Sequence, residues 1–431
     1  MLIDRRHFTG LVAGFVGGSA LPTSALRATA PAPADPCNLP ESIRALSPMT
    51  AGIEPITLGE REARREQARR LMVQHGLGAI LLEPGSSMDY FLGMKTSWSL
   101  SERPFVAVLP ARGEVAFVCP GFEEARAREL LSFPAEVRVW QEDESPYRVI
   151  AGLLRDRGVH TGRVGIEERM RFFVMDGVRQ VAPALSWRSA DAVTAGCRMY
   201  KSPAEIALLQ RANDITMAGF KATFATLREG MTQHDLTANM QAAMARLGGN
   251  ETWSLAGFGA ASAFPHGSVQ PQHLHDGDIV LLDSGCKIEG YEADITKTTV
   301  FGKPTPRQTE IWNLERRAQD AAFAAARIGA TCGSVDDAAR KVLTDAGFGP
   351  DYKVPGLPHR TGHGIGLDGH EWTNFVRGNP AILRPGMCFS DEPMIAIYGE
   401  FGIRLEDCLH ITENGPKFFS PQSPAIDQPF P

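Results

Sequence analysis

Asp283 and Asp294 stand in the stretch DIVLLDSGCKIEGYEADITKTTVF, residues 278–301. Its pattern is that of a hairpin. Ile279, Val280, Leu281 and Leu282 make an apolar first strand that leads into Asp283, and the β-branched run from Thr296 to Val300 makes the return. Glu289-Gly290 supplies a two-residue loop, because glycine tolerates the positive φ of such a turn. With that loop, Ile288 faces Tyr291 and Asp283 faces Thr296. Asp294, two residues from Thr296, then shares the face of Asp283 as its diagonal neighbour. Two carboxylates on one face of an apolar hairpin repel each other and resist leaving water. A bound cation is one arrangement that makes the pair favourable; a turn or sheet-edge role for one aspartate is the bland alternative.

Three more places carry groups able to do chemistry. His363 lies in HRTGHGIGLDGHE with His359 and His370, where glycines let the backbone come close to a neighbour. Glu392 ends an apolar run in FSDEPM. Arg404 and Glu406, in GIRLED, share one strand face by their spacing of two. Each alone has an ordinary reading: a loop histidine, a strand end before proline, a solvated ion pair. Together they gain weight. The same loop also fits GxGxxG, but no βαβ unit surrounds it and HEW follows where a helix would start, so a dinucleotide site is not expected.

Composition narrows the classes. The chain has 431 residues, 43% hydrophobic, with net charge −6. That is ample for two or three domains and offers no broad basic field for nucleic acid. The densest basic run, REARREQARR at 61–70, is interleaved with Glu62 and Glu66 and reads as a solvated helix face. Seven cysteines without a CxxC suggest neither a zinc ribbon nor a disulfide framework.

The positioning elements alternate, as in an α/β (α+β) chain. Residues 1–34 read as an address: Arg5-Arg6, an apolar glycine-rich stretch from Leu11 to Leu21, then small residues, with cleavage expected near Ala34. The paired arginines resemble a twin-arginine signal, implying an exported, periplasmic protein folded before export. The apolar stretch is too short to span a membrane, so no span is expected in the mature chain. Residues 35–56 read as a linker. Residues 57–196 read as an α/β domain: a helix over 60–75 capped by Gly76, strands at 79–82, 105–109, 115–118 and 163–166, and helices over 122–131 and 147–157. No cluster at ligand spacing lies there, so its expected contribution is shape and access. Trp98 and Arg103 fall in a Ser-rich loop and are expected to pack rather than reach a cleft. Residues 189–203 link the halves, and helices follow over 204–229 and 234–247.

Residues 197–431 resemble the catalytic domain of the creatinase/aminopeptidase P/prolidase family of "pita-bread" metalloenzymes, and the preceding domain resembles the creatinase-type cap. The resemblance implies two adjacent divalent metals held by Asp283, Asp294, His363, Glu392 and Glu406. Oxygen-rich ligation with one imidazole favours Mn²⁺, with Zn²⁺, Co²⁺ or Fe²⁺ as alternatives. Such a pair acidifies a shared water and polarises a scissile carbonyl. The resemblance further implies Glu392 as proton acceptor, His359 and His370 as stabilisers of the tetrahedral intermediate, His266 as a substrate-positioning group, and Arg404 as a partner orienting Glu406. The expected activity is hydrolysis of the N-terminal Xaa-Pro bond of dipeptides or short peptides, with homodimers common in the family. The alternatives are a creatinase-like C–N hydrolase or lyase on a small zwitterion, and a non-catalytic binding protein of the same fold. Two departures from the family pattern, Lys297 where arginine is common and Trp372-Thr373 where proline is common, are expected to border the cleft and alter the substrate.

Overall fold

The computed structural model describes residues 39–95 and 101–431; the proposed signal segment and Trp98 lie outside them. The first half is built on a six-stranded mixed sheet. Its order is Glu136–Trp140, Ala116–Pro120, Val106–Pro110, Leu77–Leu82, Gly162–Ile166, Leu185–Ser189. The central strand Leu77–Leu82 is almost wholly buried, as a run with apolar residues on both faces requires. Helix Leu58–His75 precedes it. The Thr57 hydroxyl accepts from Glu60 N at the start, and Gly76 closes the end at φ 67°. Part of the stretch read as linker is not one: a short helix, Glu41–Arg44, buries Ile43 against Ala222 and Ala243. Arg103 stays on the surface, paired with Glu142.

The second half holds two helix pairs, each packed on its own sheet. Pro203–Phe224 and Gln233–Leu247 cover a sheet ordered Ile295–Val300, Ile279–Ile288, Asn250–Phe258. Pro306–Ala325 and Cys332–Asp345 cover a sheet ordered Glu371–Phe375, Gly362–Gly364, Cys388–Asp391, Asp407–Thr412, Gly415–Phe418. Capping boxes at Ser202/Glu205, Thr232/Asp235 and Thr305/Gln308 start three of these helices. The first ends at Phe224, earlier than Glu229: Thr226 N and Leu227 N turn to carbonyls three residues back, and Gly230 N pairs with Leu274 O.

A backbone bridge joins the two sheets. Glu406 N donates to Thr296 O at 3.1 Å, joining the hairpin of the first sheet to the strands of the second. The linking segment 189–203 is also more than a connector. It contains the helix Asp191–Arg198, whose last residue is buried between the halves. No helix among the described residues is long and apolar enough to cross a membrane.

Candidate metal centre

The hairpin folds in the register its sequence predicts: Ile288 pairs with Tyr291 and Asp283 with Thr296, around Glu289 and Gly290 at φ 50° and 90°. Gly285 is demanded by its neighbour, since a Cβ there would lie 1.9 Å from the Ala293 carbonyl oxygen. That close approach holds the return limb so that Asp294 sits beside Asp283.

The remaining groups arrive from the second sheet. His363 sits on Gly362–Gly364, and its backbone N–H donates to Ser390 Oγ at 3.0 Å. A Cβ on Gly362 would lie 2.1 Å from the Ser390 carbonyl, so glycine is what lets the two strands close up. Glu392 N donates to Thr361 O at 2.8 Å, which fixes the start of its side chain. Glu406 follows the Thr296 bridge, and the Thr296 hydroxyl donates to Glu406 Oε2 at 2.7 Å.

All five expected ligands converge. Candidate ligand atoms of Asp283, Asp294 and Glu406 lie within 4.8 Å of one another, as do those of His363, Glu392 and Glu406. A third such group joins Asp294, His363 and His370. His363 Nδ1–H donates to Gly364 O at 3.1 Å, which leaves a lone pair on Nε2. That lone pair faces Glu392 Oε1 at 3.2 Å and Asp294 Oδ2 at 3.6 Å. Asp283 Oδ1 and Glu406 Oε1 are buried without a hydrogen-bond partner.

Such a cluster is unfavourable on its own terms. Burial, then the charges of Glu406, Asp283 and Glu392, push Asp294 well above the usual carboxylate range. Burial, then Glu392 and Asp283, do the same to Glu406. Burial raises Glu392 to about 7 against the pull of Arg404. Burial and His370 drive His363 well below the ordinary imidazole value. Cations resolve every one of these conflicts, and four carboxylates with one imidazole suit divalent ions of hard to borderline character. The residues therefore fit the metal pair that the resemblance implies.

The surrounding groups line a cleft of about 850 Å³. His370 stacks on His363 with ring centroids 3.7 Å apart, and its Nδ1 accepts from Arg360 Nη2 at 2.7 Å. Its proton is thereby placed on Nε2. Desolvation and the Arg360 charge lower its pKa to about 4. His359 is arranged the other way. Its Nδ1–H donates to Arg360 O at 2.7 Å, and its enclosed Nε2 has no partner. Burial, then Arg404, lower it to about 3, so neutral His359 offers an acceptor and not the donor expected of it. His266 is exposed at the mouth.

Two expectations are corrected by contacts across the sheets. Arg404 grips Asp283 directly and bonds Thr296 Oγ1 at 2.9 Å and Pro265 O at 2.8 Å; Glu406 Oε2 is 3.8 Å from its Nε. It orients Asp283 first and Glu406 through Thr296. Lys297 does not border the cleft: its side chain is buried on the opposite hairpin face, 2.7 Å from Asp407. Trp372 points to Glu168 in the first half, and Thr373 is buried beside Asn379.

The first half and the segment after it do more than shape access: Ser86 Oγ donates to Asp368 Oδ1 at 2.6 Å. Arg198 binds Asp368 at 2.6 Å and also Glu371, and Lys201 binds Glu371 at 3.0 Å. Glu371 in turn accepts from Leu367 N at 2.9 Å. Burial raises Glu371, but Arg198 and Lys201 override it and hold it at about 2. The loop that carries His370 is thus fastened from behind. Arg360 was signalled only by a charge inside a glycine-rich loop; the Arg198 network had no local signal.

Residues 207–413 match the model of metallopeptidase family M24, and residues 64–200 match the creatinase/prolidase N-terminal domain. The chain is 34% identical over 344 residues to a probable dipeptidase PepE of Mycobacterium tuberculosis, covering 79% of this chain and 89% of that protein. It is 33% identical over 343 residues to an Xaa-Pro dipeptidase of Lactobacillus helveticus, covering 78% and 90%. In three dimensions it is similar to dipeptidase PepE from Mycobacterium ulcerans, with a TM-score of 0.80 at 31% identity over 86% of this chain and 99% of that one. A prolidase from Thermococcus sibiricus gives 0.77 at 27% identity, covering 84% and 97%. With five converging ligands in a two-part α/β fold, this chain belongs to metallopeptidase family M24.

Proposed function

We propose that the protein hydrolyses Xaa-Pro dipeptides. The observation that carries this is the meeting of Asp283, Asp294, His363, Glu392 and Glu406, with buried oxygens left unpartnered beside a bare imidazole nitrogen. These five residues would hold two divalent cations, Mn²⁺ by the donor set, which supply Lewis acidity and an acidified water. The chain's own groups do the rest. Glu392 takes a proton from the attacking water and returns it to the proline nitrogen as the C–N bond breaks. His370 Nε2–H donates to the carbonyl oxygen as negative charge develops there. Arg360 and Arg404 bring two guanidinium groups to the cleft, which suits a substrate ending in a carboxylate just beyond the scissile bond, and His266 stands at the mouth. His359 Nε2 accepts from the substrate side. The names of the relatives support proline at the second position.

The test is a panel of Xaa-Pro dipeptides and Xaa-Pro-Yaa tripeptides, with creatine as a non-peptide control, after chelation and reloading with Mn²⁺ or Zn²⁺. The expected result is Mn²⁺-restored cleavage of the dipeptides above the tripeptides. Cleavage of creatine alone, or metal-independent cleavage, overturns it. We further propose that residues 1–34 direct export, which fractionation of cells expressing an Arg5→Lys, Arg6→Lys variant checks: retention in the cytoplasm is expected.

A further inference from the structure

Glu292 lies two residues before Asp294 and lines the cleft, yet it belongs to none of the metal-spaced groups among the described residues. It is 9% exposed. One carboxylate oxygen, Oε1, accepts from Trp253 Nε1 at 2.7 Å. The other, Oε2, lies 3.7 Å from Lys287 Nζ, beyond hydrogen-bond range, and Lys287 is closer to Glu251 at 3.1 Å. Gly369 stands in front: a Cβ there would come 3.3 Å from the Glu292 carboxyl carbon and 3.4 Å from each oxygen. With glycine at that position, no side chain from it covers the carboxylate.

The hairpin gives this group a direction. From the aspartate pair toward the turn come Gly285, paired with Trp253, and then Glu292, paired with Lys287. Level with Asp283 stand Thr296, its cross-strand partner, and Arg404, which reaches Thr296 Oγ1 and the Pro265 carbonyl. Asp294 thus stands between a wall of Trp253 and Glu292 and the cationic wall of Arg404. A dipeptide with its carbonyl at the ligands sends its carboxylate to the cationic wall and its Xaa residue toward Trp253 and Glu292.

We propose that Trp253, Glu292 and Gly369 form the pocket for the Xaa side chain, and that Glu292 selects lysine or arginine there. The Trp253 ring receives the methylene stem and the free Glu292 oxygen receives the cationic head. This rests on the dipeptidase reading.

Lys-Pro and norleucine-Pro share the stem and differ in the terminal amine, so they isolate the charge. In the Mn²⁺-loaded enzyme, kcat/KM for Lys-Pro is expected about tenfold above norleucine-Pro, the scale of one charge-assisted contact. In Glu292→Gln, which keeps an oxygen for Trp253, the ratio falls to near one; Glu292→Asp restores part of it. Calorimetric titration with free lysine and free norleucine reads the pocket without turnover. Preferential lysine binding that Glu292→Gln abolishes, with no dipeptide cleaved, leaves the pocket standing and overturns only the dipeptidase reading. Equal treatment of the two side chains by the wild type in both measurements overturns the pocket. So does an equal loss on both dipeptides in Glu292→Gln, because that places Glu292 on the backbone ammonium they share.

Discussion

At the scale of the residue, the site is a set of side chains each held in one protonation state by a partner. His363 and His370 stack as neutral rings with opposite tautomers: one turns its Nε2 lone pair to the cluster, and the other keeps its proton on Nε2. With Glu392 as the proposed proton carrier, Glu392→Gln should lower kcat by roughly 10²–10⁴-fold, as for loss of a general base. Asp294→Asn should abolish Mn²⁺-dependent turnover and leave circular dichroism unchanged, because its carboxylate faces His363 and the other acidic groups of the cluster. Retained turnover in the Asp294 variant, checked with metal content, would remove this residue from the centre. Arg360→Met should raise the His370 pKa, because a cation beside the ring is lost. NMR titration of the ring would read that rise.

Elements place these groups by close backbone approach. The hairpin needs Gly285 and the second sheet needs Gly362, since neighbouring carbonyls occupy the space of a side chain. Gly285→Ala should destabilise the protein by about 1–3 kcal/mol, the usual cost of overpacking, and lower metal affinity by moving Asp294. Urea unfolding and metal titration read the two effects. The loop before the strand Glu371–Phe375 depends on the helix Asp191–Arg198. Arg198→Met leaves Asp368 and Glu371 buried with one cation fewer, a loss of about 3–5 kcal/mol for a broken buried pair. Activity should also fall, because the His370 backbone is released. Full activity in that variant would show that the network only stabilises.

Across the whole molecule, the ligands come from both sheets of the second half, so bound cations tie together surfaces that would otherwise repel. Glu392 has a raised folded pKa of about 7 against an ordinary value of 4.5. Its folded form therefore holds the proton more tightly, and its contribution to stability is present at low pH and lost as pH rises from about 4.5 to 7. Asp294 and Glu406 shift in the same direction. Neutral His359, His363 and His370 act the other way below pH 6.5, so the fall is read above it: chelated protein should melt at a lower temperature at pH 8 than at pH 7. Mn²⁺ should reverse this, adding about 2.7 kcal/mol at a hundred times its Kd. Scanning calorimetry with and without chelator gives the answer; a chelated protein that is more stable at pH 8 contradicts it.

The hairpin, its turn, its register and the shared face of Asp283 and Asp294 were all legible in the sequence, because a period of two and a two-residue loop are local properties. So, in outline, were the helices over 60–75, 204–229 and 234–247, and the family resemblance named the five candidate ligands that converge. Other features were decided only by the tertiary structure. Arg404 turned to Asp283, more than a hundred positions away, and Lys297 turned to Asp407 on the far face. His359 presents a lone pair because its own neighbour's carbonyl takes its proton, and the first half reaches the catalytic loop through Arg198. Apart from the His359 tautomer, which its neighbour sets, each of these is a contact between residues far apart in the chain. Local patterning states which face a side chain takes, whereas the packing of one sheet on another states what it meets there.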